Sequence, residues 1–322
     1  MITNDPMLKN NTDAGFANNP VDDEIDLREL FSAIWQGKRI IIATTFVFTL
    51  ASIFYALSLP NIYKSEVLLA PISQDSGLKI PGQLGGLAAL AGVNLGTAGG
   101  DKTGLALEVL KSREFIGRFI TQHDLFIPVM AAEGWNRADN SLVIDADSYD
   151  VATKQWVREV KPPFQPKPSL LETHEELLEL LSVSQDKESG MVKLSIQHYS
   201  PYIAQQWASW LVQAINNEMR QRDLTEAKNS IAYLTDQLEK TNIADMRTML
   251  FSLIEEQTKT LMLANVREEY VFKTVDPAVV AEKKDKPARA LICILGVMLG
   301  GMLSILVVLV RYFSNKESGN KI

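Results

Sequence analysis

The chain is poor in the residues that covalent cross-linking and catalysis draw on. Of its 322 residues one is cysteine and three are histidine. Cys293 alone cannot close an internal disulfide. His123, His174 and His198 fall on separate expected elements and lack metal-ligand spacing. His198 reads as a strand-end surface residue. No H-E-x-x-H, C-x-x-C or G-x-S-x-G occurs, and the glycine-rich stretch lacks the lysine of a phosphate-cradling loop. The acid pairs Glu175-Glu176 and Glu255-Glu256 are neighbours on expected helices. Adjacent helix positions do not face each other, so these are solvated faces rather than acid/base dyads. A basic excess is also missing: 32 Lys and Arg stand against 39 Asp and Glu, for a net charge of -7. That speaks against nucleic acid as a general partner. The residues imply no catalytic site, no cofactor and no metal, so the chain reads as a non-enzyme.

Two long runs without charge are present. Ile40–Leu59 and Ala290–Val310 would each make a helix of ~30 Å, the thickness of a bilayer's hydrocarbon core. Neither has the polar stripe of a surface helix. A signal peptide is a poor reading of the first run, since a 39-residue acidic leader precedes it. Lys38 and Arg39 at its start, with Arg28 nearby, place the N-terminus in the cytoplasm by the positive-inside rule. Two spans return the chain to the same side. The expected organisation is a cytoplasmic tail 1–39, a transmembrane helix 40–59, an exported domain 60–289, a second transmembrane helix 290–310 and a cytoplasmic tail 311–322.

Within the exported domain Tyr63–Ala70 alternates as a strand, with Tyr63, Ser65, Val67 and Leu69 on one face. Gly77 to Gly104 holds nine of the eighteen glycines and reads as a loop or short helix. Leu105–His123 has helical spacing. Pro162, Pro163, Pro166 and Pro168 suggest an extended connector. Leu180–Gln185 and Met191–Tyr199 form an expected hairpin about Asp186–Gly190. Ser200-Pro201 then opens a helical region running to about residue 267, with a break at Thr241-Asn242. Leu224, Ile231, Leu234 and Leu238 repeat at heptad-like spacing, as do Leu250 and Leu253 in the second helix. These faces suit a fold-back hairpin, packing between subunits, or both; an ordinary bundle core accounts for them equally well. Tyr270–Val275 reads as a returning strand that meets the first. The expectation is a membrane-anchored α+β chain: two transmembrane helices flank a domain with a mixed α/β base on one mixed sheet, and long helices project from it. Trp156, Trp207 and Trp210 are exported aromatics able to stack on saccharides, although the last two, three apart on a helix, suit packing better.

The second run contains Gly296-x-x-x-Gly300-Gly301, a flat face that admits another helix, though glycine is common in membrane helices. Its setting is more specific. The stretch Asp276-Pro277 to Lys286-Pro287-Ala288-Arg289 and on through Gly296, Gly300 and Gly301 to Arg311 resembles the proline-rich segment and second span of the Wzz chain-length determinants. Asp23–Arg28 with Trp35, Lys38 and Arg39 is similar to their N-terminal signature. So are Tyr63–Pro71, Leu107–Phe115 and Glu269–Val280. Ala281 departs from the pattern by replacing a proline, which makes the segment less stiff. The resemblance runs from about Asp22 to Arg311 and implies a bacterial polysaccharide co-polymerase. What it implies is a bell-shaped homo-oligomeric ring on the inner membrane, with its bulk in the periplasm and both termini cytoplasmic. The expected role is non-catalytic control of surface polysaccharide length, O-antigen of lipopolysaccharide first. Implied partners are further copies of the chain, the O-antigen polymerase, lipid-linked polysaccharide and the membrane. Pro277, Pro287, Arg289, Gly296, Gly300 and Gly301 are expected to contact other spans, the chain's own or the polymerase's. The short C-terminal tail suggests the kinase-free class. The alternative is an adaptor for capsule, exopolysaccharide or enterobacterial-common-antigen-type polymer assembly and export.

Overall fold

The computed structural model describes residues 27–72 and 102–319. The first 26 residues, which include Asp23–Asp26 of the N-terminal signature, most of the glycine-rich stretch and the last three residues lie outside the described residues. Two compact units emerge, one formed by residues up to Ala56 with those from Arg289 onward, the other by Leu57–Ala288.

The first unit is helical: α1 (Leu27–Gln36), α2 (Lys38–Ser58) and, at the far end of the chain, a last helix Arg289–Gly319. Lys38–Ser58 and Arg289–Phe313 are long and apolar enough to cross a membrane. Only 6% and 17% of their most apolar windows is buried. A soluble protein's core helix would bury such residues, yet Phe46, Phe54, Leu295 and Met302 stand exposed.

The second unit begins with β1 (Tyr63–Pro71), followed by α3 (Lys102–Lys111), α4 (Arg113–His123) and α5 (Phe126–Met130). The helical stretch expected as one, Leu105–His123, is two helices. Ser112 takes an extended conformation between them and its side chain accepts the Phe115 N–H, capping α4. Two small hairpins follow, β2 (Ala132–Asn136) with β3 (Ser141–Ile144) and β4 (Tyr149–Asp150) with β5 (Gln155–Trp156). The proline stretch after them is not a free connector. Arg158 donates to the carbonyls of Gln165 and Pro166 and to the Glu172 carboxylate at 2.6 Å, fastening the loop to α6 (Leu170–Leu180).

β6 (Leu181–Gln185) and β7 (Val192–His198) form the expected hairpin. Then come α7 (Pro201–Lys240), α8 (Ala244–Val266) and β8 (Phe272–Asp276); the last helix, Arg289–Gly319, is α9. The sheet runs β6-β7-β1-β8. The strand after the first apolar helix does pair with the strand before the second. Every pairing in the sheet is antiparallel, so it is not mixed as expected. Antiparallel order suits the short β6–β7 turn, where Gly190 has φ 71.

The base half of α7 covers this sheet. Ala204, Trp207, Ala208, Leu211, Ile215 and Met219 each have another of the set three or four positions away, so they share one face of the helix, and all are buried. With Phe119, Tyr270 and Phe272 they form the centre of the core. Each large apolar side chain buried there contributes ~2 kcal/mol or more. Beyond Ala227 no α7 residue is fully buried.

Candidate functional site

Three places carry the residues that the sequence singled out. The first is the helix pair α2–α9. A Cβ built on Gly296 falls 2.4 Å from the Ser52 Cβ, and one on Gly300 falls 2.6 Å from the Phe48 Cβ. Glycine is therefore required by close approach to the chain's own first apolar helix. Gly301 meets nothing within 4 Å. Gly37, which the sequence reading passed over, belongs to the same seam: its Cβ would fall 2.3 Å from Val308 Cγ1. Ser304 and Val308 are buried and continue the stripe at four-residue spacing from Gly296 and Gly300.

The second place is the return segment. Ser65 Oγ donates to the Val279 carbonyl and Gln205 donates to that of Ala278. Ile62 and Lys286 form an antiparallel bridge, and Lys286 Nζ reaches Gln197 at 2.9 Å. This ties residues 277–286 alongside β1, so the two ends of the second unit lie side by side. Pro277 is exposed, while Pro287 and Arg289 are half-buried.

The third place is the helical hairpin. The side chain of Asn216 on α7 accepts the N–H groups of Tyr270, Val271 and Phe272 and donates to the Phe272 carbonyl. The segment after α8 is thereby pinned back beside α7, so the helices run antiparallel. Arg247 closes the tip by donating to the carbonyls of Leu238 and Thr241. Leu224 is buried; Ile231, Leu234, Leu238 and Leu250 are half-buried; Leu253 is exposed. The chain thus partly occupies these faces with itself. Tyr233, Met246, Met249, Phe251 and Met262 remain exposed.

His198 is not a surface residue. It is 3% exposed; its Nε2 lies 3.0 Å from the Pro128 carbonyl and its Nδ1 accepts the Ser200 N–H. Burial pulls its pKa down to about 4, against a smaller upward pull from the Pro128 bond. Trp207 packs on it in the core, with ring centroids 5.0 Å apart. Trp210 is half-buried and stacks on His123 at 4.1 Å and 15°. Burial opposes charge on Glu218, but bonds from Arg222 and Arg118 hold its carboxyl below the ordinary value.

Comparison with known families gives the chain its relatives. Residues 23–123 match the family described as Wzz, chain length determinant protein. Residues 245–313 match the family described as GNVR, the G-rich domain on putative tyrosine kinase. A solved full-length bacterial polysaccharide co-polymerase is 16% identical, with 90% of this chain and 99% of that one covered and a TM-score of 0.42. A fragment of WzzB, the polysaccharide co-polymerase from Salmonella Typhimurium, is 15% identical, with 70% and 100% covered and a TM-score of 0.28. No curated protein sequence matches the chain. The GNVR description names a domain found on putative tyrosine kinases, whereas the sequence alone led to the kinase-free class. The Wzz match thus runs from ahead of α1 to the end of α4, and the GNVR match from α8 into α9.

Proposed function

We propose that the chain is a non-catalytic regulator of surface polysaccharide chain length, O-antigen of lipopolysaccharide first. In this reading α2 and α9 span the bacterial inner membrane, both termini face the cytoplasm, and Leu57–Ala288 stands in the periplasm. Copies assemble into a homo-oligomer that biases how long the membrane polymerase extends its lipid-linked product. The match of residues 23–123 to the chain length determinant family carries the proposal. The exposed apolar surfaces of the two long helices support the membrane placement. The bridge between Ile62 and Lys286, near the two ends of Leu57–Ala288, supports a domain that the chain enters and leaves at one place.

A second reading is favoured by the GNVR match: an adaptor for capsule or exopolysaccharide assembly and export that works with a tyrosine kinase. Deletion separates the two. In the bacterium that encodes the chain, loss of the preferred length with polymer still made supports the regulator. Loss of surface polymer supports the adaptor. A silver-stained lipopolysaccharide ladder with unchanged modal length would rule out the first.

A further inference from the structure

Between α4 and the base half of α7 lies a cavity of about 300 Å³. A second, shallower one of about 550 Å³ shares Arg118, Glu218 and Gln221 with it and continues to Ser230. Together they make one groove along α7. From Trp210 to Ser230 the helix rises ~30 Å, room for several sugar rings end to end.

The lining is of two kinds. At one end Trp210 stacks on His123, whose ring in turn lies 4.8 Å from that of Phe119. The wall is therefore aromatic and fixed in orientation. Along the rim stand the amides of Gln122, Gln213, Asn217 and Gln221, all exposed. On α7 the last three recur at steps of four and point along one face. The charges are balanced: Arg118 and Arg222 both bond Glu218, and Glu226 lies further along. An anion gains little from such a groove. Amides donate and accept at once, as ring hydroxyls require, and an aromatic wall takes the C–H face of a pyranose.

We infer that the groove between α4 and α7 is a subsite for an uncharged, hydroxyl-rich stretch of polysaccharide. The inference deepens the proposed function and rests on it for the source of the ligand. Trp207 takes no part, being sealed in the core, and Trp156 lies on a separate hairpin.

The test uses the full chain in detergent. The probe is the water-soluble polysaccharide released by mild acid from the surface of the encoding bacterium. Titration is followed by calorimetry and tryptophan fluorescence. Wild-type protein is expected to bind saturably. Trp210→Ala, and separately the double variant Gln213→Ala with Asn217→Ala, should each weaken binding at least tenfold, while Trp156→Ala leaves it unchanged. The amide pair is exposed, so its loss does not threaten the fold as removal of Trp210 can. Absence of saturable binding, or equal affinity in the amide variant, overturns the subsite. So does a change of particle mass in the amide variant without saccharide binding, which would make the groove a contact between copies. A deletion strain that loses its modal length while the purified chain binds no saccharide sinks this site and leaves the regulator standing.

Discussion

His198 shows what one buried titratable side chain does to the pH range of the fold. Nδ1 accepts the Ser200 N–H, so the ring is neutral with its proton on Nε2, aimed at the Pro128 carbonyl. A second proton would have to displace the bond to Ser200 and bury a charge beside Trp207. An unfolded histidine takes its proton near pH 6.5, whereas the folded one waits until about 4. As pH falls through this window the unfolded chain binds a proton that the folded chain refuses, and stability is lost. The loss reaches ~2 kcal/mol at pH 5 and ~3 kcal/mol near pH 4. Urea unfolding of the detergent-solubilised chain at pH 7 and pH 5 should show this decline, and His198→Gln should flatten it. An undiminished decline in the variant would assign the effect to other groups. The sequence held the signal for this burial: Val192, Leu194 and Ile196 share the inward face of β7, and His198 is next in the same alternation.

At the scale of elements the α2–α9 seam separates two kinds of glycine within one motif. Gly296 and Gly300 sit where a Cβ would strike the Cβ atoms of Ser52 and Phe48, which are rooted in the backbone and cannot swing away. Gly301, adjacent in sequence, faces open space. Replacing Gly296 and Gly300 together by Leu should force the helices apart at a cost of ~1–3 kcal/mol per site, while Gly301→Leu should be neutral. Melting temperature in detergent reads the cost, and modal polysaccharide length reads its consequence. Equal effects of Gly296→Leu and Gly301→Leu on both would mean that the seam is unimportant. Elements with local signals were legible from the sequence: the Ser200-Pro201 start, the break after Lys240, the β6–β7 hairpin and the alternation of β1. Elements set by distant partners were not. Nothing near Gly37 announces Val308. Asn216 looks like one more polar residue on a long helix until the returning backbone supplies four groups for it to bond. The hairpins of residues 132–156 have strands of two to five residues, too short for periodicity to register.

The whole molecule poses a question of unpartnered surface. From Asn216 to the end of α7 the helix extends ~36 Å, and over most of that length its main company is α8. Two helices can bury one seam between them, and Leu224, Ala227, Ile231, Leu234 and Leu238 serve it. Yet α8 also exposes Met246, Met249, Phe251 and Met262, at 47%, 64%, 54% and 62%. A single chain that left this much apolar surface in water would tend to associate. A ring of copies laid hairpin against hairpin would cover it and give the second seam that the helix pattern allows. Under the proposed function the assembly is also what acts on the polymer, so stability and activity depend on the same contact. Phe251→Asp with Met262→Asp, eleven residues apart and therefore on one face of α8, places two like charges on that surface and leaves Asn216, the Arg247 clasp and the buried Ala264 untouched. Light scattering of the detergent-solubilised protein should show the wild type as an oligomer and the double variant as a monomer, with helix content by circular dichroism unchanged. In the cell the variant should then make polymer of unregulated length. A variant that keeps both its particle mass and its modal length would place the subunit contact elsewhere, and a wild type that is monomeric would remove the ring itself.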